Sequence, residues 1–113
     1  MQKTSDEILK RFLKAISTNE WKKAYQYCQK SWASNHSSDK LRDIFMDIKL
    51  KYILIVGEKK DKNSDYIIDY DVLCNTISGQ RIHIVRLICE SRSYHPDLNG
   101  DWGVNPISVL RHK

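Results

Sequence analysis

The sequence predicts an α+β domain in which helices from the first half pack on an antiparallel sheet formed by the second half. Two observations predict this class. Up to about residue 48, apolar residues recur at intervals of three and four, which is typical of amphipathic helices. Beyond that point apolar and polar residues alternate, and β-branched and aromatic side chains become frequent, which favours strands. At 113 residues the chain has the usual length of one domain, so we assign residues 1–113 to a single domain.

The first half predicts two to three helices, over about residues 5–17, 20–31 and 38–47. Thr4 and Glu7 have the spacing of a capping box at the first N-terminus. Polar residues 17–19 interrupt the pattern before the second helix. Each predicted helix carries one apolar stripe, formed by Ile8, Leu9, Phe12, Leu13 and Ile16, then by Trp21, Ala24, Tyr25 and Cys28, and then by Leu41, Ile44, Phe45 and Ile48. We therefore expect all of them to lie on a common core.

The second half predicts four strands, over about residues 49–58, 66–76, 81–91 and 104–111. Residues with turn chemistry separate them, including Ser78-Gly79 and Asn99-Gly100. The third strand is apolar on both faces, which is typical of a central position. The pattern predicts a mainly antiparallel meander.

The composition favours a mildly basic, solvated surface. Lys and Arg number 19 against 14 Asp and Glu, a formal charge of +5, but they are spread along the chain rather than gathered into a strip. This distribution argues against a nucleic-acid partner. The longest uninterrupted apolar run, residues 52–56, is far shorter than the ~20 residues of a membrane span. No signal-peptide core precedes residue 16, so the chain as written is expected in the cytoplasm, or in the periplasm if a leader once preceded it.

The three cysteines, Cys28, Cys74 and Cys89, lie far apart and lack metal-ligand spacing. We expect reduced thiols that pack as small apolar side chains; one disulfide with a spare thiol is the alternative. The four histidines are also scattered. The sequence therefore predicts no metal site and no cofactor.

Two segments carry a resemblance to a known family. The stripe from Ile8 to Ile16 is followed by the polar and aromatic sequence of residues 19–25, NEWKKAY. Near the end of the chain, residues 99–106 have the sequence NGDWGVNP. Together they resemble the opening helices and the final hairpin of the nuclear transport factor two-like (cystatin-like) superfamily. The nearest look-alikes are small bacterial stand-alone members and the N-terminal domain of penicillin-binding transpeptidases. The resemblance implies helices on the concave face of a curved, cone-like sheet and a non-catalytic binding or accessory domain.

The same resemblance implies an enzymatic alternative of the ketosteroid isomerase or polyketide cyclase type, which needs a carboxylate base and a hydrogen-bond donor. The candidates are Asp69 and Asp71 on the second strand, Tyr25 or Tyr27 on the second helix, and His83 on the third strand. The residues themselves allow a plainer interpretation. Both aspartates share a strand face with Ile67 and Leu73 and can point to solvent, while Tyr25 has the spacing of a core residue.

Arg86 lies on the strand face of Ile84 and Ile88, where a buried charge needs a partner. It is either an anion-binding residue in a pocket or dimer interface, or it reaches solvent or a neighbouring strand's carboxylate. Tyr25, Trp32 and His83 complete the candidate ligand pocket. The partner is left open between a small molecule and a protein, with a homodimer through the outer sheet face as one form. The basic charge keeps an anion or nucleic-acid binder as a second alternative.

Overall fold

The computed structural model describes residues 4–113 and shows an α+β fold. The helices are α1 (Ser5–Ser17), α2 (Trp21–Tyr25), α3 (Lys30–Ala33) and α4 (Ser38–Phe45). The strands are β1 (Lys51–Lys60), β2 (Ile67–Thr76), β3 (Gly79–Glu90) and β4 (Asp101–Val104), and a 3₁₀ helix, Pro106–Leu110, follows. The four strands form one antiparallel sheet in the order β1-β2-β3-β4. The predicted fold class is confirmed.

One face of the sheet and the apolar stripes of the helices form the core. The α1 stripe is buried, with Leu9, Phe12 and Leu13 at 0 % exposure. The alternating residues of β2 and β3 that face it are equally buried, because a period of two places every second side chain on the same side. We call this the helix face of the sheet, and the opposite side the outer face.

Strand β1 bends the sheet around α1. Its pairing with β2 shifts between Tyr52 and Leu54 and again between Ile55 and Gly57, so Ile53 and Val56 are extra residues at two irregularities of the β-bulge kind. Bulges increase the local twist and bend the strand that carries them. The curved sheet thus presents its hollow side to the helices.

The predicted helix over residues 20–31 is wrong as one element, because it divides into α2 and α3. The reason is a contact with the far end of the chain. The amide of Val104 donates to the Tyr27 carbonyl at 2.9 Å, and the amide of Gln29 donates to the Val104 carbonyl at 2.8 Å. Pairing with β4 therefore replaces helical hydrogen bonds around Cys28.

The predicted strand over residues 104–111 is also wrong, because β4 covers residues 101–104 and a 3₁₀ helix follows. Pro106 has no amide hydrogen to offer a sheet. The Asn105 side chain accepts from the amides of Ile107 at 3.1 Å and Ser108 at 3.4 Å, which caps the helix. Strand-like pairing with β3 resumes at the end of the chain, where His112 pairs with His83.

The capping box expected at the start of α1 does not form. Thr4 occupies the N-cap position, but its hydroxyl donates to the Asp6 carboxylate at 2.6 Å instead of accepting from the helix. This hydrogen bond lowers the pKa of Asp6. A charged Asp6 in the first turn suits the positive end of the helix.

Candidate functional site

The strand carboxylates lie on the outer face of the sheet, away from the helices. Asp69 accepts two hydrogen bonds from the guanidinium of Arg86, at 2.9 and 3.1 Å, from the directly opposite position on β3. Arg111 lies 3.6 Å from the same carboxylate. The hydrogen bond to Asp69 raises the pKa of Arg86 further above its usual value. The two-point contact matches the geometry of the guanidinium fork, so the Asp69 carboxylate has a cation as its direct partner.

Asp71 is also paired with a cation, the side chain of the C-terminal residue Lys113. Its carboxylate accepts from the ammonium of Lys113 at 2.7 Å. Asp69 and Asp71 are thus both paired with cations on the outer face, on the side of the sheet that faces away from the helices. The structure brings them together with Arg86 and separates all three from Tyr25 and Trp32.

Tyr25 anchors the polypeptide after α3. Its hydroxyl lies 2.5 Å from the Ala33 carbonyl and 2.9 Å from the His36 carbonyl. Trp32 packs at 6.5 Å from the Tyr25 ring and stacks on His36 at 4.4 Å between ring centroids. Since Ala33 ends α3 and His36 lies between α3 and α4, the Tyr25 hydroxyl bonds to the connection between these two helices. Tyr25 and Trp32 thus lie side by side, apart from Arg86 and His83, and Tyr27 packs against the core.

A groove of about 390 Å³ opens beside Tyr25. We call it the α3 groove; it is lined by Tyr25, Lys30, Ala33, Ser34, Arg92 and Tyr94. Lys30 is ion-paired with Asp101 at 2.7 Å, and Tyr94 has its backbone in the left-handed region at φ 65°. The sequence analysis did not predict that Lys30 and Arg92 line the same groove. No local signal could have found them, because about 60 positions separate the two.

His83 is buried on the helix face of β3, with 4 % of its surface exposed. Its Nδ1 lies 2.7 Å from the Val109 carbonyl, while Nε2 has no hydrogen-bond partner among the described residues. A cavity of about 130 Å³ is lined by His83 together with Ile48, Thr76, Ser78, Arg81, Leu110 and His112. Within residues 4–113, no group of three or more His, Cys, Asp or Glu side chains is placed to hold a metal ion.

A third opening of about 440 Å³ lies where α1 begins, beside β1 and β2. There the Tyr70 hydroxyl and the Ser5 hydroxyl share a hydrogen bond of 2.7 Å. Burial raises the pKa of Tyr70, against a smaller lowering by Ser5. Tyr70 is therefore a neutral phenol that ties α1 to the sheet.

The outer face also carries apolar side chains, of which Leu54 is exposed while Leu73 and Ile82 are half-buried. Leu54, Leu73 and Ile82 stand opposite one another on β1, β2 and β3 and form one row across the sheet. Leu54 is 45 % exposed, and the bulge residues Ile53 and Val56 are 39 % and 47 % exposed. The outer face thus combines an apolar row with the paired charges around Asp69.

These elements define a class of protein. Helices held in the hollow of a four-stranded antiparallel sheet are the arrangement of the NTF2-like α+β folds. The chain belongs to the family described as the NTF2-like N-terminal transpeptidase domain, whose profile matches residues 4–105. The resemblance seen in the sequence is confirmed.

Solved structures agree on the fold. An NTF2-like protein of unknown function from Cytophaga hutchinsonii superposes with a TM-score of 0.57 at 13 % identity, covering 98 % of both chains. A SEC-C motif containing protein from Psychrobacter arcticus gives 0.58 at 9 % identity and covers 92 % of this chain, which spans only 60 % of that protein. At such identities the likeness concerns the fold alone. No curated protein matches the chain.

The helices of the described part of the chain are too short or too polar to cross a membrane.

Proposed function

We propose that this chain is a non-catalytic accessory domain that binds protein through the outer face of its sheet, and that a second copy of the chain is its partner. The observation that carries the proposal is the apolar row of Leu54, Leu73 and Ile82 beside a group of charges that are already paired. Clustered exposed apolar side chains next to polar ones are typical of protein interfaces.

The charges favour self-association. Asp69 and Asp71 supply the negative sign on the outer face, and Arg86, Arg111 and Lys113 supply the positive sign. In a two-fold interface the same surface meets itself, so a face with both signs can place each charge against its opposite. The outer face can therefore be complementary to a second copy of itself.

The family supports an accessory role. Its description is that of an N-terminal domain of transpeptidases. The enzymatic alternative has less support, because its two carboxylates are paired with Arg86 and Lys113 on the outer face, on the opposite side from the helix that carries Tyr25. The proposed role of the domain is therefore binding of a protein partner, not catalysis.

Sedimentation or light scattering over a range of protein concentrations tests the proposal. The wild-type chain is expected to dimerise at high concentration and to dissociate on dilution. Leu54→Lys places a charge in the apolar row and is expected to give a monomer throughout. Met46→Lys is the matched control, since Met46 is 59 % exposed on the opposite, helical side and its variant should behave as the wild type.

Two results would contradict the proposal. The first is a wild-type chain that is monomeric at every concentration. The second is a dimer that survives Leu54→Lys but dissociates in Met46→Lys, which would move the interface to the helices. Binding of an oligonucleotide that weakens with salt, without dimerisation, would instead support the anion-binding alternative.

A further inference from the structure

The inference concerns the α3 groove, whose lining residues all lie outside the outer face of the sheet. Its first wall is helical, because Tyr25 ends α2 and Lys30 and Ala33 belong to α3. Its second wall is the loop that follows β3, which supplies Arg92 and Tyr94. A binding site here is therefore separate from the interface proposed above.

Hydrogen bonds within the loop hold the second wall in place. The Ser91 amide donates to the His95 carbonyl at 2.8 Å, and the Tyr94 amide donates to the Ser91 carbonyl at 3.0 Å. A bridge between Glu90 and Pro96 closes the base of the loop. Tyr94 is 50 % exposed and has φ 65°, a backbone conformation that bulky residues rarely adopt. Such strained residues cluster at sites that bind ligands.

Positive charge is in excess at the groove. The lining holds two cations, Lys30 and Arg92, and no carboxylate among the described residues. Lys30 is paired with Asp101 at 2.7 Å, which uses one of the three N–H donors of its ammonium group. Glu90 also lies beside α3, but its carboxylate is 3 % exposed and bonded to donors at the start of that helix. The Arg92 guanidinium has no hydrogen-bond or ion-pair partner within residues 4–113, so its charge is left for a ligand.

The shape of the groove favours a polypeptide. The groove is open rather than enclosed, and the rings of Tyr25 and Tyr94 give it apolar surface. A site for a small molecule ordinarily surrounds most of its ligand, which an open groove cannot do. A single-stranded nucleic acid needs a series of cations along its backbone, and the groove has only Lys30 and Arg92. Tyr and Arg are instead the side chains enriched in protein interfaces.

We propose that the α3 groove binds an acidic peptide segment of a partner protein. A Glu or Asp side chain of the peptide accepts two hydrogen bonds from the Arg92 fork and one from a free donor of Lys30, which leaves the pair with Asp101 intact. Apolar side chains on either side of that carboxylate lie against the rings of Tyr25 and Tyr94. The Tyr25 hydroxyl contributes nothing further, because it already donates within the chain.

NMR titration of the isotope-labelled full chain with the peptide acetyl-Leu-Glu-Tyr-Glu-Leu-amide tests the site. The amide signals of α3 and of residues 91–95 are expected to shift. The same peptide with Gln in place of both Glu residues is expected to bind about fivefold more weakly, the upper range for an exposed charged contact. Signals in these two segments that stay unchanged at millimolar peptide would overturn the proposal, and so would equal binding of the two peptides.

Arg92→Gln is expected to weaken binding of the Glu peptide about fivefold, whereas Arg92→Lys, which keeps the charge but not the fork, weakens it about twofold. Arg11→Gln is the matched control, because it removes the same charge from an exposed position on α1 and should change nothing. Asp101→Asn frees Lys30 and is expected to tighten binding about two- to fivefold. An equal loss in Arg11→Gln and Arg92→Gln would show attraction to the basic surface in general.

Tyr94→Asn tests the aromatic wall without disturbing the loop, because Asn tolerates the left-handed region. It is expected to weaken the Glu and Gln peptides alike, by about two- to tenfold, since it removes a ring and no charge. Unchanged affinity in this variant would overturn the placement of the peptide in the groove. A single-stranded oligonucleotide that shifts the same amide signals at lower concentration than the peptide would overturn the proposal in favour of nucleic acid.

Discussion

The hydroxyl of Ser108 accepts a hydrogen bond from the backbone amide of Arg86 at 2.8 Å. The same hydroxyl donates to the Asn105 carbonyl at 2.6 Å, so one side chain joins the 3₁₀ helix to β3. A neighbouring strand would ordinarily accept from this amide. Ser108 therefore replaces the strand that the alternating pattern of the C-terminus predicts.

Ser108→Ala is expected to lower the free energy of unfolding by about 1 to 3 kcal/mol, because it leaves the Arg86 amide without its acceptor at a site that is 7 % exposed. Urea unfolding followed by circular dichroism measures the change. Ser93→Ala, at an exposed loop position, is the control and should stay within about 0.5 kcal/mol of the wild type. Equal stability of the two variants would show that the Ser108 hydroxyl is dispensable.

Glu90 connects β3 to α3 through a buried carboxylate that is 3 % exposed. It accepts from the Ser31 amide at 3.0 Å, the Ser31 hydroxyl at 2.9 Å and the Gln29 side chain at 3.1 Å. Glu90→Gln keeps the shape of the side chain but replaces one carboxylate oxygen by an NH₂ group, which cannot accept from these donors. We therefore expect the free energy of unfolding to fall by about 1.5 to 3 kcal/mol. Thermal unfolding of this variant beside Glu20→Gln, at an exposed site, measures it.

In the Glu90→Gln protein, local unfolding should begin at α3. Hydrogen exchange of the Ser31 amide reports this directly, since its acceptor is the Glu90 carboxylate. Unchanged exchange at Ser31 together with unchanged stability would contradict the assigned role.

Gly103 allows β4 to approach the segment between α2 and α3. A Cβ atom there would lie 2.5 Å from Gln29 Cα and 2.7 Å from the Cys28 carbonyl oxygen, both backbone atoms. Gly103→Ala is therefore expected to destabilise the fold by at least about 2 kcal/mol, since a packed backbone cannot give way. Gly57→Ala is the matched strand control, because nothing lies within 4 Å of its Cβ position. Denaturant midpoints that shift equally in both variants would argue against close packing at Gly103.

The cysteines should be chemically silent in the folded protein. Burial raises the pKa of Cys28 and of Cys74 from 9.0 to about 12, and it also raises the pKa of Cys89. The three free thiols are 6 %, 0 % and 1 % exposed. At pH 8 they should react with a disulfide reagent only as fast as the chain unfolds, because the thiolate is the nucleophile. A thiol that reacts fully within seconds in native buffer would contradict this.

The same shifts predict how stability depends on pH. Between about pH 9 and 12 the unfolded chain loses thiol protons that the folded chain retains, so the free energy of unfolding falls as pH rises. Each thiol contributes a slope of up to about 1.4 kcal/mol per pH unit. Cys74→Ala should therefore show a shallower decline above pH 9 than the wild type. Identical slopes would mean that Cys74 titrates alike in both states.

Local pattern determined much of the fold. The spacing of Leu9, Phe12 and Leu13 predicts α1, and the change to alternation predicts β2 and β3 close to their observed bounds. The alternation also places Asp69 on the face of β2 opposite to Tyr70, but it does not decide which of the two faces is buried. Such periodicities are properties of neighbouring residues, so the sequence alone contains them.

Tertiary contacts decided the rest. Cys28 leaves the helical pattern because Val104 pairs with its neighbours from 76 positions away, and the C-terminal strand yields to a 3₁₀ helix because Ser108 meets Arg86. The partner of Arg86 depends on the register between β2 and β3, and the approach of His112 to His83 depends on where the chain returns to the sheet. The sequence by itself thus determined the fold class and most of the helices and strands. Only the tertiary structure decided which distant side chains meet, because that choice is made by the free energy of packing the whole chain rather than by any one segment.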